Sequence, residues 1–395
     1  MSVQPGDLIT HVHLMRVLQE LPQYGDITGH IWQTLFPPDQ SPSPHLMWKI
    51  LRGSEANLAG FISNRGVAKP IEQLEADREF ADMANIGASW RVDSEVVRAA
   101  NDPGAASLVA VEESPAGQEL LRTINDEMTK GATHCLLMME RQREYMAMQA
   151  ISTGSIIWPP VDNNGDAIGD PMEHWNAEME IQFNYTMDTD FVQDATTLYG
   201  YDYGSGPEQG AGIAWNQPGA KIIRDIRLIK QLMRDKYGLN SKGGRCIMTG
   251  HTLEVMVDNA EFREIVLGVN KEQQGARDFL DYDSVVNYVM DRQGWQIETY
   301  DAAPWTYRTW VNGRAVINPV NFLAHGKVIF IPAGVDLGNM MESLIETQDG
   351  NWSYGNVPWF KRDDEPPYVR RGGVRAMGWP AFPGSKQIFI LNAFQ

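Results

Sequence analysis

Cysteine is the scarcest chemistry in this 395-residue chain: there are two, Cys135 and Cys246, far apart and outside any C-x-x-C pair. Neither a disulfide framework nor a zinc knuckle can be built from them, and a reducing compartment is expected. Long apolar runs are also missing. Nothing approaches the roughly 18 residues that cross a bilayer, so no membrane partner is expected. The opening Met1-Ser2-Val3-Gln4-Pro5-Gly6-Asp7 has no basic flank and no apolar stretch, and it does not read as a signal peptide. Positive charge is in short supply: 33 Lys and Arg stand against 51 Asp and Glu, a formal net charge of -18. A protein built to grip nucleic acid shows a dominant basic stripe, because affinity for phosphate comes from neutralising it. None dominates here. Acidity of this kind is compatible with the wall of a container whose contents must slide, and equally with an ordinary soluble protein. What the chain does have is a hydrophobic fraction of 43% and enough length for two or three domains with a substantial core.

Signatures of catalysis are missing as well. No G-x-S-x-G elbow occurs. Gly204-Ser205-Gly206 and Gly210-Ala211-Gly212 do not lead from a strand into a phosphate-cradling fingerprint. The sharpest motif is Asp162-Asn163-Asn164-Gly165-Asp166, continued by Asp170 and Glu173, which matches the oxygen ligands of a calcium loop. However, Ala167 stands where that loop needs glycine, and Trp158-Pro159-Pro160 stands where it needs a helix. A polar hairpin turn explains the same residues. His11 and His13 have no third ligand nearby, His251-x-x-Glu254 is not a zinc helix, and His134 beside Cys135 reads as packing. Asp363-Asp364-Glu365, with twelve tryptophans in the chain, raises a carbohydrate-active enzyme as an alternative. That chemistry needs carboxylates facing each other across a sugar, and adjacent loop acids face solvent. No catalytic residue, cofactor or metal is expected, and the chain does not read as an enzyme. Basic residues gather at Arg224, Arg227, Lys230, Arg234 and Lys236, and again at Arg370, Arg371 and Arg375. Two readings stay open for them: a solvated face with local ion pairs, or partners for acids on a neighbouring molecule.

The fold class reads as α+β, since strands and helices alternate without βαβ regularity. Residues 1–52 form an arm, with short apolar stretches broken by Pro37-Pro38 and Ser41-Pro42-Ser43-Pro44. Residues 53–92 read as a long β-hairpin around Asn64-Arg65-Gly66, with Leu58, Phe61, Ile62 and Val67 before and after the turn and Phe80, Met83, Ile86 and Trp90 on the return limb. An isolated hairpin is marginal in water, so this ribbon is expected to lie on a neighbouring subunit. Its candidate contacts are Phe61, Asn64, Arg65, Lys69, Arg78, Phe80 and Trp90, with Arg370 and Arg371 from the late strand. A helix is predicted over 115–153. Ser114-Pro115 starts it, Leu121, Ile124, Met128, Ala132, Cys135, Met139, Met146 and Ala150 form its apolar stripe, and Thr153-Gly154 stops it. Gly131 is expected to mark a bend. Strands follow at 156–158 and 178–187, helices at 219–237, from Thr252 and at 281–292, and strands at 246–248, 295–300, 307–311 and 327–331. Two extended runs, 368–379 and 387–394, close the chain.

This order resembles the fold of tailed-phage capsids named after phage Hong Kong 97, and local patterns resemble the lambda-type major capsid family. Leu35-Phe36-Pro37 before Lys49 to Ile62 is similar to its arm and loop. Glu140-Arg141-Gln142-Arg143-Glu144 leading to Ser152-Thr153-Gly154 is similar to the end of its spine helix. Gly326 to Gly334 resembles its late strand and Pro380-Ala381-Phe382-Pro383 its closing segment. The Trp- and Tyr-rich stretch 158–215 departs from the family pattern. The resemblance implies an extended loop at 53–92, a peripheral domain of residues 93–190 and 336–395 with the spine helix, and an axial domain over 191–335. It further implies self-assembly into hexamers and pentamers of an icosahedral shell, built in a bacterial host's cytoplasm and found in the virion. Such a shell encloses double-stranded DNA without reading its sequence, and it works with a portal, a scaffolding protein and a decoration protein. Some relatives crosslink a loop lysine to asparagine; Lys69 is the lysine of this loop, and it is expected to be solvated rather than crosslinked. An encapsulin-like compartment holding protein cargo is the alternative with the same fold.

Overall fold

A computed structural model of the chain describes residues 30–50, 78–91, 115–160, 180–198, 212–267, 282–302, 304–311, 314–347, 350–362 and 370–394. Its helices are α1 (Trp32–Leu35), α2 (Pro115–Thr153), α3 (Ile222–Tyr237), α4 (Gly250–Asp258), α5 (Ala260–Leu267) and α6 (Tyr282–Tyr288), the last running on as a π turn over Val289–Gln293. The early strands are β1 (Pro38–Ser41), β2 (His45–Lys49), β3 (Arg78–Asp82), β4 (Ala84–Arg91), β5 (Ser155–Trp158), β6 (Ile181–Asn184), β7 (Val192–Asp194), β8 (Gly244–Met248) and β9 (Trp295–Thr299). The later ones are β10 (Trp305–Val311), β11 (Arg314–Val320), β12 (Lys327–Ile331), β13 (Asn339–Ser343), β14 (Ile345–Glu346), β15 (Trp352–Ser353), β16 (Val357–Arg362), β17 (Arg370–Ala381) and β18 (Phe389–Asn392). Two compact units are distinguished, one of residues 1–46, 81–146 and 339–381, the other of residues 47–80, 147–338 and 382–395.

The first unit is organised by β17, whose twelve residues are long enough to take several partners. One edge pairs antiparallel with β4 over Arg371–Gly378; the other takes β16 over Arg370–Arg375 and then β13 over Gly378–Ala381. Strand β1 adds in parallel to β13. Two consecutive glycines in β17 receive the indoles of their own cross-strand partners. A side chain at Gly372 would collide with Trp90, and one at Gly373 with Trp359. Because neighbours in a strand point to opposite faces, the two tryptophans cover opposite sides of the sheet. Helix α2 lies against the Trp90 side, with Cys135 and Met139 meeting Ala88, Val374 and Ala376, and Leu136 packed against them. Gly131 supplies room: a Cβ there would strike the Trp90 ring.

Two expectations change at this point. Residues 84–91 are not part of a freestanding ribbon, because they form a fully paired strand of their own unit's sheet. The alternation of Ile86, Ala88 and Trp90 that suggests a free hairpin limb fits a sheet strand equally well. The expected arm also joins this unit: Trp32, Leu35 and Phe36 are buried, and β1 is a sheet strand.

The second unit is a five-stranded sheet in the order β7-β18-β12-β8-β9. Strand β12 runs antiparallel to β18 and β8, while β7 and β9 add in parallel at the outside. From sequence, β18 groups with the strand at 370–381, but it is an inner strand here. Its run Phe389-Ile390-Leu391, like Cys246-Ile247-Met248 of β8, is buried throughout, as a strand covered on both faces requires. Helices α3 to α6 pack onto this sheet. The stripe Ile222, Ile223, Ile226, Ile229, Leu232 and Met233 buries one side of α3, and Gly238 ends it at φ 64°. Thr249 caps α4 by accepting from Thr252 N. Both cysteines are buried and free, and burial pushes the Cys135 thiol up to about 11. Among the described residues, no helix is long and apolar enough to cross a membrane.

Candidate assembly surfaces

Helix α2 carries a charged cluster that holds the arm within the first unit. Glu144 is fully buried, and its carboxylate accepts from the backbone N–H groups of Ile31 and Trp32, at 3.1 and 2.8 Å to Oε2. One helical turn earlier, Glu140 accepts from the Trp32 indole at 3.0 Å. Arg143, 4% exposed, lies over the same indole. It donates to Glu140 Oε1 at 2.7 Å, to Glu342 Oε1 on β13 at 2.8 Å and to Asn356 Oδ1 at 2.9 Å. One guanidinium therefore ties the helix, the arm and two later segments together, using the fork geometry that lysine lacks. Burial raises the pKa of Glu342, and the Arg143 charge opposes that rise. In the sequence these residues stand out as part of the Glu140–Glu144 motif, without any sign of what they bind. An E-x-x-R pair amid an apolar helix stripe is the signal that could have marked them.

His30 lies immediately before this clasp. Burial, and after it the Arg141 charge, hold its imidazole down to about 4 from 6.5. A group with a lowered folded value binds its proton more readily in the unfolded chain. Its contribution to stability is therefore complete above pH 6.5 and is lost as pH falls toward 4. Moving from pH 7 to pH 5 is expected to cost the chain about 2 kcal/mol through this residue. Urea unfolding at the two pH values, compared with His30→Gln, checks it: the variant should lose that part of the pH dependence. Identical pH profiles would remove His30 as the cause.

The base of the expected ribbon is a two-stranded sheet of β2 and β3. Both strands alternate exposed and buried, and His45 Nδ1 meets Asp82 Oδ1 at 2.6 Å at one end. Trp48 packs on Phe183 and Tyr185 at centroid distances of 6.2 and 6.1 Å, and Tyr185 packs on Phe382 at 5.5 Å. Glu79 accepts from Thr186 N. This aromatic row seats one face of the ribbon. The other face is open, with Phe80 65% and Met47 59% exposed. Counting inward from the His45–Asp82 pair places Met47 opposite Phe80, and Lys49 and Arg78 are exposed further along. An apolar pair flanked by charge can bury itself only on another surface.

Of the candidate contacts named from sequence, Arg78 and Phe80 lie on this open face. Trp90 is half-buried and packs inside its own unit, between Gly131 and Gly372. The backbones of Arg370 and Arg371 are paired to Arg362 and Lys361 of β16. Phe61, Asn64, Arg65 and Lys69 lie outside the described residues, as does the turn from Asp162 to Glu173. Among the described residues, no group of His, Cys, Asp and Glu converges as a metal site would require.

No family profile matches the sequence, and no curated protein does. Solved structures do. The proposed capsid protein of an E. coli CFT073 prophage superposes at TM-score 0.50 with 11% identity, over 98% of this chain and 99% of that one. The fold is thereby that of a phage capsid protein, the Hong Kong 97 arrangement that the sequence resembles. A phage-related protein of Bordetella bronchiseptica RB50 matches at 0.43 with 12% identity over 93% of each chain. An encapsulin complex of Synechococcus elongatus PCC 7942 matches at 0.38 with 10% identity, over 95% of this chain and 91% of that one.

Proposed function

We propose that this chain is the major capsid protein of a tailed phage, a structural protein whose activity is assembly and not catalysis. The observation that supports it is the end-to-end correspondence of fold with a capsid protein, with neither chain left substantially uncovered. In this reading, the unit containing most of α2 is the peripheral domain. The unit built on the β7-β18-β12-β8-β9 sheet is the axial domain. Residues beyond β2 and before β3 form the extended loop laid on the next copy. Copies gather as hexamers and pentamers, close into an icosahedral shell around double-stranded DNA, and leave surfaces for a portal, a scaffolding protein and a decoration protein. Each contact is modest, and stability comes from the number of simultaneous contacts in a closed symmetric object.

Expression of the full chain, followed by size-exclusion chromatography and negative-stain microscopy, tests this. Hollow isometric particles are expected. A stable species at the chain's own 44.3 kDa contradicts it. Nuclease-resistant DNA in particles purified from infected cells agrees with the phage shell, whereas a co-purified enzyme would make the object an encapsulin-like compartment.

A further inference from the structure

Two buried polar atoms meet at the seat of the ribbon, and each lacks a hydrogen-bond partner among the described residues. One is the indole N–H of Trp48, the other Oε2 of Glu79. Trp48 is 9% exposed and Glu79 8%, and both belong to the second unit. Their placement follows from the two strands. Met83 N donates to the Pro44 carbonyl at 2.9 Å, and His45 meets Asp82 one step further in. Counting inward along both strands sets Leu46 against Ala81, Met47 against Phe80 and Trp48 against Glu79. Facing residues of an antiparallel pair carry their Cβ atoms about 4.5–5.5 Å apart on one side of the sheet. Here that side is the buried one. Both side chains converge on a single segment, Trp48 on Phe183 and Tyr185, and Glu79 through Oε1 on Thr186 N.

The segment beneath them has nothing further to give. Its nearest backbone donors are engaged, Thr186 N with Glu79 Oε1 and Tyr185 N with the Gly154 carbonyl at 2.8 Å. The rest of the row is aromatic, with Phe183 and Tyr185 at a centroid distance of 4.8 Å and Phe382 at 5.5 Å from Tyr185. A buried donor or acceptor left without a bond costs more than an ordinary bond gains. Trp90 and Trp295 also bury an indole N–H without a partner, but Glu79 Oε2 is the one carboxyl oxygen in that condition among the described residues. Trp48 and Glu79 do not bond to each other. They are satisfied together only by a group that accepts from the indole and donates to the carboxyl oxygen. A cation cannot accept and an anion cannot donate; a water molecule does both. Another subunit cannot supply the group, because both atoms are already sealed from solvent within one chain. We propose that a single water molecule is bound between Trp48 Nε1 and Glu79 Oε2, and that the ribbon is seated through this bridge as well as through its aromatic contacts.

Water-selective ROE spectroscopy of the unassembled full-length chain, with 15N-labelled tryptophan side chains, tests this. The Trp48 indole signal is the one lost in Trp48→Phe; where that variant does not fold, it is the one shifted most by Met47→Ser on the exposed face. That signal should show a cross-peak to water, with the sign of a molecule that tumbles with the protein. Glu79→Met should lose the cross-peak, and Glu79→Gln, which keeps an oxygen at that position, should retain it. A wild-type Trp48 signal without a water cross-peak overturns the proposal. So does a cross-peak that survives Glu79→Met, because the water would then not be held by the carboxyl group. A Trp48 proton shifted far downfield with no water cross-peak would mean a direct bond to Glu79, and that also overturns it. If Glu79→Met does not fold, loss of the cross-peak in Glu79→Gln is the overturning result and its retention the expected one. The unassembled chain suffices, so the outcome is independent of whether particles form.

Discussion

Replacing Arg143 with alanine is expected to destabilise the chain by about 3–5 kcal/mol, a large part of the roughly 5–15 kcal/mol that holds a typical domain folded. The loss comes less from the attraction removed than from what remains behind. Glu140 and Glu342 both lean on this one guanidinium, and their side chains are only 18% and 14% exposed. Without it, two carboxylates share a poorly solvated space, together with an unpartnered Asn356 oxygen. The sign with pH follows from Glu342, whose folded pKa is already raised by burial. Once its counter-charge is gone it rises further, so the deficit is largest near neutral pH and shrinks as pH falls into the carboxylate range. Urea unfolding of the unassembled variant at pH 7 and pH 4.5 measures both effects.

A control separates the pair from its packing. Arg143→Met/Glu140→Gln/Glu342→Leu removes the guanidinium and both carboxylates that lean on it with volume roughly kept, and it should recover most of the lost stability, since buried ion pairs replaced by apolar groups are often neutral. If Arg143→Ala costs less than about 1 kcal/mol, the cluster is a solvated surface pair and the arm is held by other contacts.

Where local signals sufficed, the sequence reading was close. Ser114-Pro115 and Thr153-Gly154 bracket α2 at its observed limits, and the isoleucine steps of α3 name its buried face. Short apolar runs at β8 and β12 were legible for the same reason. What stayed hidden depends on partners distant in the chain. Strands β11, β13 and β16 have mixed composition and become strands through pairing. Gly131 looks like a bend until Trp90 is placed beside it, and Trp90 looks like a ribbon residue until Gly131 and Gly372 are seen to leave room for it. The Arg143 cluster joins residues nearly 200 positions apart, for which no periodicity exists. Of the candidate contacts, Phe80 is one whose strand face was legible, because a residue alternating with Glu79 and Ala81 points away from the face they share.

That residue and its cross-strand neighbour carry the second large effect. Met47→Ser/Phe80→Ser is expected to abolish particle formation while leaving the folded subunit intact. Both side chains are mostly exposed, so their removal takes little from the isolated chain, and the aromatic row on the opposite face still seats the ribbon. On assembly each would bury apolar surface worth roughly 1.5–3 kcal/mol. Every copy in a closed shell makes that contact once and receives it once, so the deficit recurs at each interface. Assembly is steep in contact energy, and a loss of about 3 kcal/mol per contact is over a hundredfold in each pairwise association. Size-exclusion chromatography should show the variant as small oligomers, with circular dichroism and urea midpoint near wild type. Particles forming in wild-type yield would mean that this face stays in water in the assembled state. A lowered urea midpoint would instead place Met47 and Phe80 among the chain's own packing.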